Sequence, residues 1–396
     1  MPICSYVEAL GAYRVCTEIK NAMKKLFIIV NVDWFFLSHR LPVALAAQKA
    51  GWDVTIVTAD TGKLNHISEQ GLKVIDLPMS RSGMNIKEEF CTLLFFTKLY
   101  RREKPDVIHH VGMKTILWGT LAAKFARAKG VVNAVSGLGG FFAEDNKSLL
   151  AKVMPQVLRY SHKGQNLLVI FQNHEDEAMY VKKGIIKNDQ SRFIKGSGVN
   201  LNDFCYTPEY AGGKINVILT ARMIVEKGVF LLTEAAERLR KEYESKVEFW
   251  LVGGLDDHPG AITKEQLDAV SDGKYIKWLG YRTDVKELLQ QSHIVAFPSY
   301  YMEGLPKSLI EACAIGRPII TTQSIGCKDT VDDCINGFLI PTKNVDALAS
   351  KLRVLIDNPE MRASMGKASR AKAEKEFSLD VVIEKHLKIY NELVSK

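Results

Sequence analysis

Leu26-Phe-Ile-Ile-Val30 is an unbroken apolar run between Lys24-Lys25 and Asn31, and its reading decides the fold. A strand with one wet face alternates apolar and polar residues. A run that is apolar at every position has both faces covered, as inside a parallel sheet. A helical stretch follows over about 41–50, Gly51 stops it, and a second apolar run, Asp53-Val-Thr-Ile-Val-Thr58, comes next. Moving outward, the sequence predicts strands at 73–77, 106–109, 131–135 and 167–171, with helices at about 87–102 and 117–128. This succession of strand and helix predicts a doubly wound parallel α/β sheet.

The succession lapses over 196–213, a loop-rich stretch ending in Gly212-Gly213 that reads as a linker. It resumes with strands at 216–220, 247–252, 276–279, 294–298 and 318–322, and with helices at about 229–243, 285–290, 306–315 and from 345 onward. The 396 residues exceed the roughly 250–300 at which one core stops growing, so two domains are expected. The boundaries read as an extension at 1–22, a first Rossmann-like domain at 23–200, a second at 201–378, and an amphipathic C-terminal helix at 379–396 that can cross back to the first. Met23 reads as a natural start, which makes 1–22 an appendage. Two open α/β sheets in tandem leave a cleft at the C-terminal ends of their strands, where such sheets place ligands.

Charge is uneven. The net charge is +8, but residues 1–200 hold 27 basic and 17 acidic side chains, against 26 and 28 in 201–396. A basic first half suits an anionic partner, whether a phosphate, a nucleic acid or a membrane surface, and it also suits plain solubility. The seven cysteines form no CxxC pair, which argues against a disulfide framework or a zinc knuckle and fits a reducing cytosol. No apolar run approaches the roughly 18 residues needed to span a bilayer. Glu8, Arg14, Glu18 and Lys20 stand where a signal peptide would be apolar. The expectation is a protein neither secreted nor membrane-spanning.

Two segments carry chemistry. In Ser299-Tyr-Tyr-Met-Glu-Gly-Leu-Pro-Lys-Ser-Leu-Ile-Glu-Ala312, Pro306 suits a first helical turn, which puts Glu303 in the loop before the helix and Glu311 inside it. The N–H groups of Leu305, Lys307 and Ser308 then face the cleft with the positive end of the helix dipole, an arrangement suited to phosphate. In Leu219-Thr-Ala-Arg-Met-Ile-Val-Glu-Lys-Gly228, Arg222 and Lys227 emerge after a strand, and a cation pair there can neutralise a diphosphate leaving group. Taken singly, each feature is also an ordinary helix start or surface cation. His174-Glu-Asp-Glu177 reads as an acidic first turn, not a metal cluster, and Ser136-Gly-Leu-Gly-Gly140 lacks the last glycine of a dinucleotide fingerprint, since Phe142 stands there.

Together, Arg222-x4-Lys227-Gly228 and Glu303-x7-Glu311 resemble the donor site of family-4 retaining glycosyltransferases with the GT-B fold. Gly196-Ser-Gly-Val-Asn-Leu-Asn-Asp-Phe204, Val252-Gly-Gly254, Leu279-Gly-Tyr-Arg-Thr-Asp-Val285 and Pro298-Ser-Tyr300 extend the match over nearly all of 24–396. In the first half, Phe36-Leu-Ser-His-Arg-Leu-Pro42, Asp106-Val-Ile-His-His-Val-Gly-Met-Lys114 and Val135-Ser-Gly-Leu-Gly-Gly-Phe-Phe142 are similar to bacterial enzymes that build surface polysaccharides or glycans on a polyprenyl diphosphate.

The resemblance implies two Rossmann-like domains, a nucleotide diphosphate sugar as donor, most simply UDP-linked, and a polyprenyl-diphosphate-linked sugar as acceptor. Work at the inner face of the cytoplasmic membrane follows from such an acceptor. No cofactor or metal is implied, and the chain has no Asp-x-Asp. Donor contacts would come from Arg222, Lys227, Leu305, Pro306, Lys307, Gly253 and Gly198. Glu311 would hold the ribose, and Tyr281, Arg282 and Val285 would flank the nucleobase. Glu303 at the donor sugar would be catalytic together with His109 and Lys114, which would lie at a strand end facing the cleft, His109 toward the donor sugar or acceptor and Lys114 toward the phosphates. Ser38, His39, Arg40, Gly137 and Gly139 would meet the acceptor, and Phe141 and Phe142 a lipid or sugar face.

The family often has His-x-His where this chain has His109-His110-Val111, so a histidine base is not carried over. The helix over 90–104, apolar with a cationic end, suits either a membrane surface or a core. A sugar-nucleotide epimerase and a non-catalytic nucleotide-sugar-binding protein share the two-domain plan. No motif supports nucleic acid.

Overall fold

The computed structural model describes residues 23–79, 86–138, 149–302 and 304–395. The first sheet has seven parallel strands: β1 (Lys25–Val32), β2 (Asp53–Ala59), β3 (Lys73–Asp76), β4 (Val107–Val111), β5 (Val131–Ala134), β6 (Leu167–Phe171) and β7 (Ser191–Phe193), in the order β3-β2-β1-β4-β5-β6-β7. The second has six: β8 (Ile215–Thr220), β9 (Val247–Val252), β10 (Ile276–Trp278), β11 (Ile294–Phe297), β12 (Ile319–Thr322) and β13 (Gly337–Ile340), in the order β10-β9-β8-β11-β12-β13.

Each order reverses once, between β1 and β4 in the first sheet and between β8 and β11 in the second. At such a switch the two connecting chains leave in opposite directions and open a crevice beyond the strand ends. The fold is therefore the expected pair of doubly wound Rossmann-like domains of the GT-B type.

Leu26, Ile28, Ile29 and Val30 are buried on both sides of β1, which is why the run needs no polar alternation. Two apolar clusters cover the two faces of the first sheet, and a third forms the second domain. The C-terminal helix Leu379–Val394 belongs to the first domain's core through Val382, Ile389, Tyr390 and Leu393. The chain reaches it by crossing at Val199, whose N–H donates to Phe377 O at 2.9 Å and whose carbonyl accepts from Leu379 N at 3.0 Å.

The return of that helix determines where two of the expected site residues go. Gly198, at φ +79°, lies under this crossing: a Cβ there would stand 3.0 Å from Leu379 Cα. The crossing therefore requires glycine at this position. His109 sits mid-strand in β4, completely buried, and points at the C-terminal helix and not the cleft. Its Nδ1 lies 2.8 Å from the Tyr390 hydroxyl, and its ring 5.5 Å from that of His386. The strand-end expectation fails because β4 runs two residues further, to Val111, and the face on which His109 projects is covered.

Candidate active site

The donor-side residues follow from the β8 and β11 ends. Arg222 lies two residues past β8, half-exposed, with Nη1 3.0 Å from Asp256 Oδ2. Asp256 Oδ1 also accepts the His258 N–H at 2.9 Å, so the loop after β9 is folded around the carboxylate that holds Arg222. Lys227 ends a short 3-10 turn and is buried, its ammonium 5.3 Å from the Phe297 ring centre and 5.1 Å from that of Tyr301. The negative faces of both rings stabilise the cation where little water reaches it.

Gly228 follows at φ +81°, and a Cβ there would collide with the Pro298 carbonyl; only glycine lets Lys227 approach the β11 end this closely. Gly253 has the same function at the β9 end, against the Ala221 carbonyl.

The helix Lys307–Ile315 begins one residue later than Pro306, which is its N-cap at φ −62° and ψ 121°. Lys307 Nζ lies 3.6 Å from Glu311 Oε1 and donates to Ser38 O at 3.0 Å, which ties the two domains together. Glu311 is deeply buried; desolvation pushes its carboxyl up, and the Lys307 cation only partly offsets this.

The Leu305 N–H does not face an open cradle: it donates to Gln172 Oε1 of the first domain at 2.7 Å, and Gly304 N donates to Ser136 O at 3.1 Å. The expectation of a free N–H at Leu305 is corrected by this clamp. Glu303 lies outside the described residues, as do Gly139, Phe141 and Phe142.

Tyr281 is 79% exposed and sits beside Gly254. Arg282 forms a fork with Asp284, its Nε 2.8 Å from Oδ1, while Val285 packs on the second domain's core. Of the trio expected around a nucleobase, Tyr281 and Arg282 are exposed and Val285 is half-buried.

The acceptor-side residues come from the short helix Asp33–His39, which follows β1 directly. Asp33 fixes it by accepting the Thr61 and Lys63 N–H groups at 2.7 and 2.9 Å. Burial pushes its carboxyl upward, but these hydrogen bonds outweigh burial and hold it below the usual range.

Arg40 follows, only 2% exposed, donating from Nη1 to His39 O at 3.0 Å and leaving Nε without a partner among the described residues. Burial pulls the guanidinium down to about 10, so it remains charged at neutral pH. A buried guanidinium held by a carbonyl and by no carboxylate among the described residues is an incomplete ion pair.

His39, Arg40, Ser136 and Gln172 of the first domain and Leu305 and Lys307 of the second line one cavity of about 130 Å³ between the domains. Gly137, at φ +113°, follows Ser136 directly. Lys114 is absent from this group: it forms a 2.7 Å ion pair with Glu89 on the helix Ile86–Glu103. A larger hollow of about 460 Å³ near Arg240 and Asp272 lies before β10 starts, away from the strand C-terminal ends.

Sequence reasoning missed Gln172, Ser136 and Asp256. Gln172 was within reach, since it follows the apolar run 167–171 as Arg222 follows β8. Nothing in the sequence marks Asp256 as the partner of Arg222.

Two family models match the chain: "Glycosyl transferase 4-like" over residues 25–173 and "Glycosyl transferases group 1" over 209–372. An N,N'-diacetylbacillosaminyl-diphospho-undecaprenol alpha-1,3-N-acetylgalactosaminyltransferase of Campylobacter jejuni is 27% identical over 91% of this chain and 98% of its own. A UDP-Gal:alpha-D-GlcNAc-diphosphoundecaprenol alpha-1,3-galactosyltransferase of Escherichia coli is 23% identical over 87% and 90%. Among solved structures, Anabaena Alr3699/HepE in complex with UDP superposes with a TM-score of 0.74 at 17% identity, covering 93% of this chain and 100% of that one. A Rickettsia africae glycosyltransferase gives 0.74 at 20%, covering 94% and 99%.

Proposed function

For a chain that belongs to the GT4-like glycosyltransferases of the GT-B fold, we propose transfer of a hexosyl or N-acetylhexosaminyl unit from a UDP-sugar to a polyprenyl-diphosphate-linked sugar, with retention and without a metal. One observation carries the reading: Arg40 from one domain and Lys307 from the other meet on one interdomain cavity that has no carboxylate of the first domain among its described lining residues. The two relatives named above, each matched over most of its length, act on diphosphoundecaprenol-linked sugars, and that supports the acceptor.

Arg222 and Lys227 would neutralise the donor diphosphate as its charge grows. To do so, Arg222 exchanges Asp256 for phosphate. Glu311, whose carboxyl burial pushes up, suits a ribose hydroxyl, and Glu303 is assigned to the donor sugar. In the transfer, the acceptor oxygen bonds to the anomeric carbon on the face that the leaving group vacates. The bond from that carbon to phosphate oxygen breaks, its electron pair stays on the diphosphate, and the acceptor proton passes to a phosphate oxygen. No protein base is needed, which agrees with the burial of His109.

Membrane attachment is proposed through the helix Ile86–Glu103. Phe96, Leu99 and Tyr100 pack inward, while Phe90 and Leu94 are exposed and Arg101 and Arg102 close its end. No helix among the described residues is long and apolar enough to cross a membrane. The proposal is tested by incubating the protein with UDP-Gal, UDP-GalNAc, UDP-Glc or UDP-GlcNAc and an undecaprenyl-diphosphate-linked monosaccharide. Extension of the lipid by one sugar is the expected result. Epimerised donor without acceptor extension would refute it.

A further inference from the structure

His39 was expected only as one of several acceptor contacts, and the structure gives it a specific chemistry. Its ring lies face to face on Phe35, with centroids 4.1 Å apart and planes within 4°. Its Nδ1 is 2.6 Å from Ser38 Oγ. Ser38 has a single hydroxyl proton, and the Trp34 carbonyl, 2.9 Å away, accepts it in the usual back-bond of a helical serine. With its proton on that carbonyl, Ser38 Oγ accepts from His39, which makes Nδ1–H the donor in the tautomer we infer. By elimination Nε2 carries a bare lone pair.

The charged groups facing this ring agree with a neutral state. Arg40 adjoins it on the chain, and Lys307 faces it from the second domain with Glu311 3.6 Å behind. Burial first, then the Arg40 and Lys307 cations, pull the imidazole down to about 3. A bare lone pair repels a phosphate oxygen and accepts only from a donor. The cavity thus separates two chemistries within 130 Å³: cations for an anionic oxygen, and one neutral acceptor for a hydroxyl.

We propose that His39 contacts the substrate as a fixed, uncharged hydrogen-bond acceptor for a hydroxyl of the acceptor sugar, while the diphosphate bearing that sugar lies on Arg40 and Lys307. The inference rests on the transfer reading above and deepens it. The site selects a sugar attached directly to diphosphate, because hydroxyl and anion must be presented together. His39 takes no proton during turnover.

The test uses the full chain with UDP-sugar and undecaprenyl-diphosphate-linked sugar. Wild-type transfer is measured first, and its absence would overturn the transfer reading itself and this inference with it. His39→Phe keeps the stack on Phe35 and removes the acceptor; kcat/KM for the lipid-linked sugar should fall about tenfold or more, with the donor KM and thermal stabilisation by UDP unchanged. His39→Gln places an oxygen near the Nε2 position and should recover most of the loss. In protein labelled with 15N-histidine, the resonance missing from His39→Phe should report an Nδ1–H ring that does not titrate between about pH 5 and 8. Wild-type acceptor kinetics in His39→Phe, an equal loss on donor KM, or a ring protonated at Nε2 would each overturn the inference.

Discussion

Lys227 and His109 are both buried and polar, and the structure assigns them opposite consequences. Lys227 stands between two aromatic rings at a switch-point strand end, where a developing diphosphate charge would be met. Lys227→Ala should lower kcat by about 10²-fold with a shift of only a few degrees in Tm, measured on the same preparation. His109 instead joins β4 to Tyr390. His109→Leu should lower stability by about 1–3 kcal/mol in denaturant titration while kcat stays within about threefold. The reverse pattern in the pair would place the chemistry on the wrong residue. The place of Lys227 beyond a strand end was legible because a cation, a glycine and a strand end stand together within ten residues. His109 was not, because its partner lies 281 residues further along the chain, and a histidine in an apolar run looks the same from either face of a strand.

Among the elements, the strands other than β7 and β13 were legible, and several helices were not. A strand buried on both faces is predominantly apolar without strict alternation, so β1, β2, β6 and β8 announce themselves. The helix Asp33–His39 did not, since Asp33-Trp-Phe-Phe-Leu-Ser-His39 is too short for a period and forms because Asp33 is fastened to Thr61 and Lys63. β13 begins at Gly337 because a Cβ there would meet the Ile319 carbonyl, a packing reason invisible locally. The helix Ile86–Glu103 left both a core and a surface reading open, and the structure contains both, with Phe96 buried and Phe90 58% exposed. Phe90→Ser with Leu94→Ser should cut co-sedimentation with anionic vesicles several-fold while leaving Tm nearly unchanged, since neither side chain fills the core. Undiminished vesicle binding would remove this helix from any membrane contact.

For the molecule as a whole, the basic first half and the near-neutral second acquire locations: the second places Arg222 and Lys227 after β8 and Lys307 after β11, and the first places at the cleft a buried guanidinium, Arg40, with no carboxylate partner among the described residues. The cleft was legible from two alternating halves, but its closure was not, because Gln172 to Leu305 and Lys307 to Ser38 are contacts between separately folded units.

Buried histidines predict the acid limit of the fold. Burial lowers His110 and His162 to about 4 and His386 to about 3. The unfolded chain, with histidines near 6.5, then binds more protons than the folded one between those values, so stability rises with pH through this window and is lost below it. Each histidine contributes up to about 1.4 kcal/mol per pH unit below 6.5. Thermal scans should show Tm level from about pH 8 to 6.5 and falling steeply to pH 5; a flat profile to pH 5 would mean these rings are not neutral in the fold.

The central claim is that side-chain cations, with no metal, carry a sugar from a nucleotide to a lipid-linked acceptor. The most direct measurement is incorporation of radiolabelled sugar from a UDP-sugar into an undecaprenyl-diphosphate-linked acceptor by purified protein, with and without EDTA. Equal incorporation in both is predicted. No incorporation from any donor of the panel, or incorporation abolished by EDTA and restored by added magnesium or manganese, would contradict it.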